Sequence, residues 1–193
     1  MSDFLLGYGS LLSHDSRTHY SALSDHAVAV NVKGWQRGWV TRSMTELQTY
    51  VGAWPVAHAT LNAVLLPVDG FSADFRKREQ DYTFEQVDPA QVSSAQPQDP
   101  LPVTLRDSRI WICHTRARQP ANPDYPVSQS YVDTCLTGCL EVGGHDFAQA
   151  FIDTTHWQDV HWHWDRHEPI YPRRARNTQP HWQVIDALLK PNR

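Results

Sequence analysis

Phe4-Leu5-Leu6-Gly7-Tyr8-Gly9-Ser10-Leu11-Leu12 opens the chain with an apolar run that breaks into glycines and a serine. The run predicts a buried strand, and Gly7-Tyr8-Gly9-Ser10 predicts a tight turn at its end. Glycine in such a turn lets backbone N–H groups be aimed at a ligand. Many buried strands end in the same way and bind nothing, so the stretch takes its meaning from the segments that accompany it.

Downstream, residues 13 to 24 read as polar and turn-like. Val28, Val30 and Val32 then alternate in strand period, and Gly34-Trp35-Gln36-Arg37-Gly38-Trp39 continues that strand through a bend or bulge. Gly52 and Pro55 predict a loop, and the β-branched run from Ala59 to Val68 predicts another buried strand. A short helix over residues 71 to 80, capped by Ser72, leads into a strand at Tyr82 to Val87, which places Glu79 at a helix-to-strand junction. Beyond a Pro-rich loop at 89 to 102, Arg109 to Thr115 reads as a strand.

The apolar stripe Tyr131, Val132, Cys135, Leu136, Cys139 and Leu140 predicts a helix stopped by Gly143-Gly144. A second helix follows from Asp146 to Thr154, the two packing as a hairpin. Residues 156 to 193 read as a C-terminal extension wrapped on a single domain spanning 1 to 193, with a last short helix near 181 to 189. The fold class is therefore α+β, a mixed and mostly antiparallel sheet with two or three flanking helices.

With 193 residues, 40% of them apolar, the chain can bury a substantial core, and its net charge of −4 provides no electrostatic footprint for nucleic acid or an anionic membrane. Nothing resembles a signal peptide or a membrane span, and three cysteines without metal-like spacing fit a reducing, cytoplasmic setting. Cys135 and Cys139 read as buried hydrophobes, and Cys113 and His114 as neighbours on opposite faces of a strand rather than a catalytic dyad. The sequence carries no signal for oligomeric state.

Three segments taken together, Tyr8-Gly9-Ser10-Leu11, Arg78-Glu79-Gln80-Asp81-Tyr82 and Tyr131 leading to Gly138-Cys139, resemble the gamma-glutamylcyclotransferase family. That resemblance implies a small closed β-barrel and cofactor-independent cleavage of a small-molecule γ-glutamyl substrate. The substrate's own α-amine closes on the side-chain carbonyl, releasing 5-oxoproline and an amine, as in glutathione metabolism. Because nucleophile and electrophile are already tethered, the protein has to fold the glutamyl group and move protons.

The resemblance makes Glu79 the catalytic acid and base and the Tyr8 to Leu11 turn the glutamyl site, with Tyr131 lining the pocket. Arg37, in Gly-Trp-Gln-Arg, corresponds to a Gly-aromatic-x-Arg segment in which a structural role and ligand contact are both open; Tyr131 is equally compatible with core packing. One departure is Arg76, where relatives commonly carry an aspartate. This keeps open a noncatalytic domain of the same fold that binds an amino-acid-like metabolite or a partner protein. A third reading draws on His161, His163, His167 and Glu168 in the extension as metal ligands for a hydrolase, although the intervening tryptophans and irregular spacing favour packing. No cofactor and no metal are expected.

Overall fold

The computed structural model describes residues 2–158 and 160–190. Its sheet is built on two long strands, β2 (Val28–Ser43) and β3 (Gln48–Val68), paired antiparallel along nearly their whole lengths. β1 (Asp3–Gly7) lies antiparallel to the end of β3 and parallel to β6 (Arg109–His114), and β4 (Thr83–Val87) is antiparallel to β6. On the far side of β2 lie the short β5 (Val92–Ser94) and, in parallel, β8 (Thr155–His156). A separate parallel pair joins β7 (Val127–Ser128) to β9 (Trp162–His163).

Four α-helices flank the sheet among the described residues: α1 (His14–Ser21), α2 (Ala73–Arg78), α3 (Gln129–Thr154) and α4 (Trp182–Leu189). The expected closed barrel is corrected to a curled, open sheet whose path runs β4-β6-β1-β3-β2-β5. β1 is too short to keep β3 and β6 apart along the whole of β6. Where β1 stops, β3 curls across to meet β6 in one pairing, Ala53 with His114. β4 and β5 remain as edges, so the hydrogen-bonded ring does not close.

Three further expectations change. The polar stretch after the first turn forms α1: Ser13 caps it by accepting from the Ser16 N–H, Ala22 ends it in the left-handed region, and its buried Arg17 donates to the Leu11 and Leu12 carbonyls. A helix that buries a guanidinium has no apolar stripe to read. The predicted loop at Gly52 and Pro55 lies inside β3, because Pro55 stands beside a register shift where residues 56–59 bulge outward and no ladder N–H is required. The two predicted helices meet without a loop, at a break confined to Gly144 (φ 67°, ψ −158°).

The first half of α3 packs directly on the turn that follows β1. A Cβ on Gly138 would lie 2.2 Å from the Ser13 backbone nitrogen and 2.3 Å from the Leu12 carbonyl carbon, so glycine is required for helix and turn to touch. An alanine normally strengthens a helix interior by about 1 kcal/mol relative to glycine. Here the sign reverses: Gly138→Ala is expected to lower stability by about 3 kcal/mol through overpacking, read as a reduced midpoint in urea unfolding.

Candidate active site

β1 delivers Tyr8 and Gly9 to the interior, and Ser10–Leu12 then forms one buried 3-10 turn, closed by the Leu12 N–H donating to the Gly9 carbonyl at 2.9 Å. A Cβ on Gly9 would approach Val51 Cγ2 to 2.6 Å and the Tyr131 hydroxyl to 2.9 Å. The turn therefore lies directly against β3 and the first turn of α3. The Tyr8 hydroxyl donates to the Cys113 carbonyl on β6, fixing the ring across the sheet.

Glu79 follows α2, whose N-terminus is capped by the Ser72 side chain accepting from the Phe75 N–H at 3.1 Å. The helix is six residues long and ends there, so the Glu79 side chain turns inward and is only 9% exposed. Arg78 Nε donates to Glu79 Oε1 at 2.9 Å. The same guanidinium reaches the Ser10 hydroxyl at 2.9 Å, the Ser16 hydroxyl at 3.2 Å and the Ser21 hydroxyl. One arginine thus ties the carboxylate to the first turn and to α1, a charge-assisted arrangement that fixes both.

Two neighbouring spaces share Glu79 in their walls. The inner one is a niche of about 40 Å³ lined by the Gly7 to Leu11 turn together with Val51, Tyr82, Cys113 and Tyr131. The outer one is a cavity of about 300 Å³ whose wall includes Ser10, Glu46, Tyr50, Asp81, Tyr171 and Arg173. Ser10, Glu79, Tyr82 and Tyr131 border both. Burial, with contributions from Glu79 and neighbouring groups, pushes the Tyr8, Tyr82 and Cys113 acids well above their ordinary values. These groups are therefore protonated and neutral around the carboxylate.

The structure brings Glu79, Tyr8, Gly9, Ser10, Leu11 and Tyr131 to one place. Tyr131 packs edge-on against Tyr50, Tyr171 and Trp39 while its hydroxyl accepts from the Val51 N–H at 3.4 Å, so it is both core and wall. Arg37 is elsewhere. It is fully buried behind the turn, with Nη1 donating to the Tyr8 carbonyl at 3.2 Å and to the Asn62 carbonyl at 2.8 Å. Nη2 reaches Asn62 Oδ1, the Phe151 carbonyl and Thr154 Oγ1, and Nε reaches Thr155 Oγ1 at 2.7 Å.

No carboxylate faces Arg37 in that set, and burial lowers its pKa to about 10, which leaves it charged at neutral pH. It is absent from the linings of both spaces and holds the Tyr8 to Leu11 turn from behind. Arg76 points away from the site, its guanidinium 5.6 Å from the Phe71 ring centroid and 5.7 Å from that of Phe84. The residue that departs from the family pattern thus covers an aromatic cluster. Among the described residues no group of three or more His, Cys, Asp or Glu side chains is placed to hold a metal, so the histidines of the extension form no ligand set there.

Sequence reasoning missed the contribution of the extension. Asp165 accepts from the Ser130 N–H at 2.7 Å and the Ser130 hydroxyl at 2.5 Å at the start of α3, and from the Ile170 N–H at 2.8 Å. Arg166 forms a two-pronged pair with Asp133 at 2.7 and 2.8 Å. These bonds bring buried Tyr171 and then Arg173 to the outer cavity. Cys113 was also missed as a site residue: strand alternation separates it from His114, but only the sheet shows that its face is the one turned towards Glu79.

The curled α+β sheet with its flanking helices has the fold of solved gamma-glutamyl cyclotransferase structures. The chain superposes on a solved structure described as a gamma-glutamyl cyclotransferase with a TM-score of 0.57, covering 97% of this chain and 99% of that one at 9% identity. A Homo sapiens structure, described as uncharacterized protein loc79017, aligns with a TM-score of 0.54 over 78% of this chain and 86% of its own, at 12% identity. These likenesses establish the fold. No protein-family model and no curated protein sequence matches the chain.

Arg37→Met removes the donors for six acceptors and leaves them buried. A loss of at least about 3 kcal/mol of stability is expected, measured by denaturant unfolding, with Arg37→Lys recovering only part because an ammonium lacks the planar fork.

Proposed function

We propose that the chain is a cyclotransferase that cleaves a γ-glutamyl amide or peptide, releasing 5-oxoproline and the amine, with Glu79 as the group that moves the protons. The observation that carries this reading is the position of Glu79. It is a nearly buried carboxylate, held by Arg78, in the shared wall of a small niche against the Gly-Tyr-Gly-Ser turn and a larger cavity. Under this proposal the glutamyl head lies against the turn beside Glu79, reaching from the niche into the cavity, and the departing group occupies the rest of the cavity.

In this reading the glutamyl α-carboxylate and the oxygen that becomes negative during attack are met by backbone N–H groups of the Tyr8 to Leu11 turn. Glu79 accepts a proton from the α-ammonium, which frees the nitrogen lone pair. That nitrogen attacks the γ-carbonyl carbon to form the five-membered ring, and Glu79 returns a proton to the departing nitrogen as its bond to carbon breaks. The ring nitrogen surrenders the remaining extra proton, so the lactam and a protonated amine leave with Glu79 again ionised. No cofactor takes part in these steps. The three free, buried thiols favour a reducing, cytoplasmic setting for the enzyme.

The Arg76 departure, the main support for a binding domain without catalysis, lies outside the cavity, so no observation favours that alternative. Release of 5-oxoproline from a panel of γ-glutamyl peptides, γ-glutamyl amines and glutathione tests the proposal. Glu79→Gln should lower kcat by about a hundredfold or more while substrate still binds. Absence of product from every compound with the folded wild-type protein would remove the reading.

A further inference from the structure

The outer cavity is finished by a side chain that the sheet does not supply. Arg173 arrives from the segment anchored by Asp165 and Arg166, and its terminal nitrogens donate to both oxygens of Glu46, at 2.6 and 3.0 Å. Glu46 belongs to the turn between β2 and β3 and also accepts from the Tyr50 hydroxyl. Burial by itself would raise the Glu46 carboxyl, but the Arg173 fork and the Tyr50 hydroxyl outweigh it and hold the group ionised below its ordinary range. The pair is thus set in place before any ligand arrives, with the Arg173 and Glu46 side chains still 21% and 25% exposed.

Glu46 does not satisfy Arg173 completely, since the Arg173 Nε is buried without an acceptor, and the part of the side chain that stays exposed borders the cavity. Arg78, the other guanidinium on this wall, is committed through all three nitrogens to Glu79 and to Ser10, Ser16 and Ser21. The carboxylates of the wall do not make an equivalent site for a cation. Burial raises the Asp81 carboxyl, which is also engaged by Ser43, and Asp74 shares α2 and the cavity wall with Lys77 at i+3.

We propose that Arg173 determines leaving-group specificity: it recognises a carboxylate on the departing amine, which meets the exposed part of its guanidinium and shares its fork with Glu46. This assignment rests on the cyclotransferase reading of the same cavity. It makes the C-terminal extension part of the substrate site, and it favours leaving groups of the amino-acid kind over simple alkylamines.

The test compares γ-glutamyl-alanine with γ-glutamyl-ethylamine, which differ by that carboxylate, by calorimetric binding to Glu79→Gln protein so that turnover plays no part. The alanine compound should bind tighter by about tenfold or more. Adding Arg173→Gln should erase the difference by weakening the alanine compound far more than the ethylamine compound. Arg173→Lys, which keeps a charge for Glu46 but lacks the planar fork, should also lose most of it. Glu46→Gln should preserve or increase the preference, because it frees the fork.

Equal affinity for the two compounds, a preference for the ethylamine compound, or an equal loss for both on replacing Arg173 would overturn the assignment, the last by revealing a purely structural residue. Turnover is measured separately with Glu79 intact. Discrimination in binding without any 5-oxoproline would retain Arg173 as a carboxylate reader and discard the cyclotransferase reading.

Discussion

The Arg37 guanidinium is the constraint around which the molecule is arranged. A buried cation without a counter-ion is tolerable only when its N–H groups are met, and here carbonyls and hydroxyls from four elements meet them: the Tyr8 carbonyl after β1, Asn62 on β3, Phe151 and Thr154 on α3, and Thr155 on β8. The side chain also lies 3.7 Å from the Phe151 ring centroid, adding cation–π attraction in a dry setting. Because the acceptors come from different parts of the chain, none can drift without orphaning the charge. The position of the Tyr8 to Leu11 turn follows from this, and the niche at Glu79 follows from the position of the turn.

A second set of bonds works from the opposite side. Asp165 serves the N–H and hydroxyl at the start of α3, and Arg166 pairs with Asp133 one turn later while its guanidinium lies between the Trp164 and Trp182 rings. Both ion-pair partners are nearly dry, with side-chain exposures of 6% and 2%, so the attraction is little screened. The extension is therefore fastened by these polar contacts together with the apolar face of α4, whose Ile185, Leu188 and Leu189 are buried in the core. It brings Tyr171 into the aromatic cluster with Tyr50 and Tyr131, and this cluster carries the wall between the two cavities.

Patterns with a short repeat are legible in the amino-acid order itself. The strand at Phe4 to Leu6, the Val28 to Val32 alternation, the Ser72 cap and the stripe from Tyr131 to Leu140 each report a local geometry, and each stands where its period places it. The failures are equally physical. α1 buries an arginine instead of a stripe, and β3 passes through Pro55 because a bulge relieves the missing N–H. Arg37 sits in a segment compatible with ligand contact, yet its acceptors come from residues up to 118 positions away and leave it none to spare for a ligand.

The sequence by itself determined the class of elements and the turn at Tyr8 to Ser10, because backbone propensity, capping and side-chain period act over a few residues, and it drew attention to Glu79 only through the resemblance carried by Arg78-Glu79-Gln80-Asp81-Tyr82. Tertiary structure alone decided that the sheet stays open, that Arg37 stands behind the site, and that Arg173 from the extension pairs with Glu46 on the cavity wall. Those outcomes depend on burial and on charge pairing between segments more than a hundred residues apart, and no local pattern encodes which distant acceptor a buried guanidinium will find.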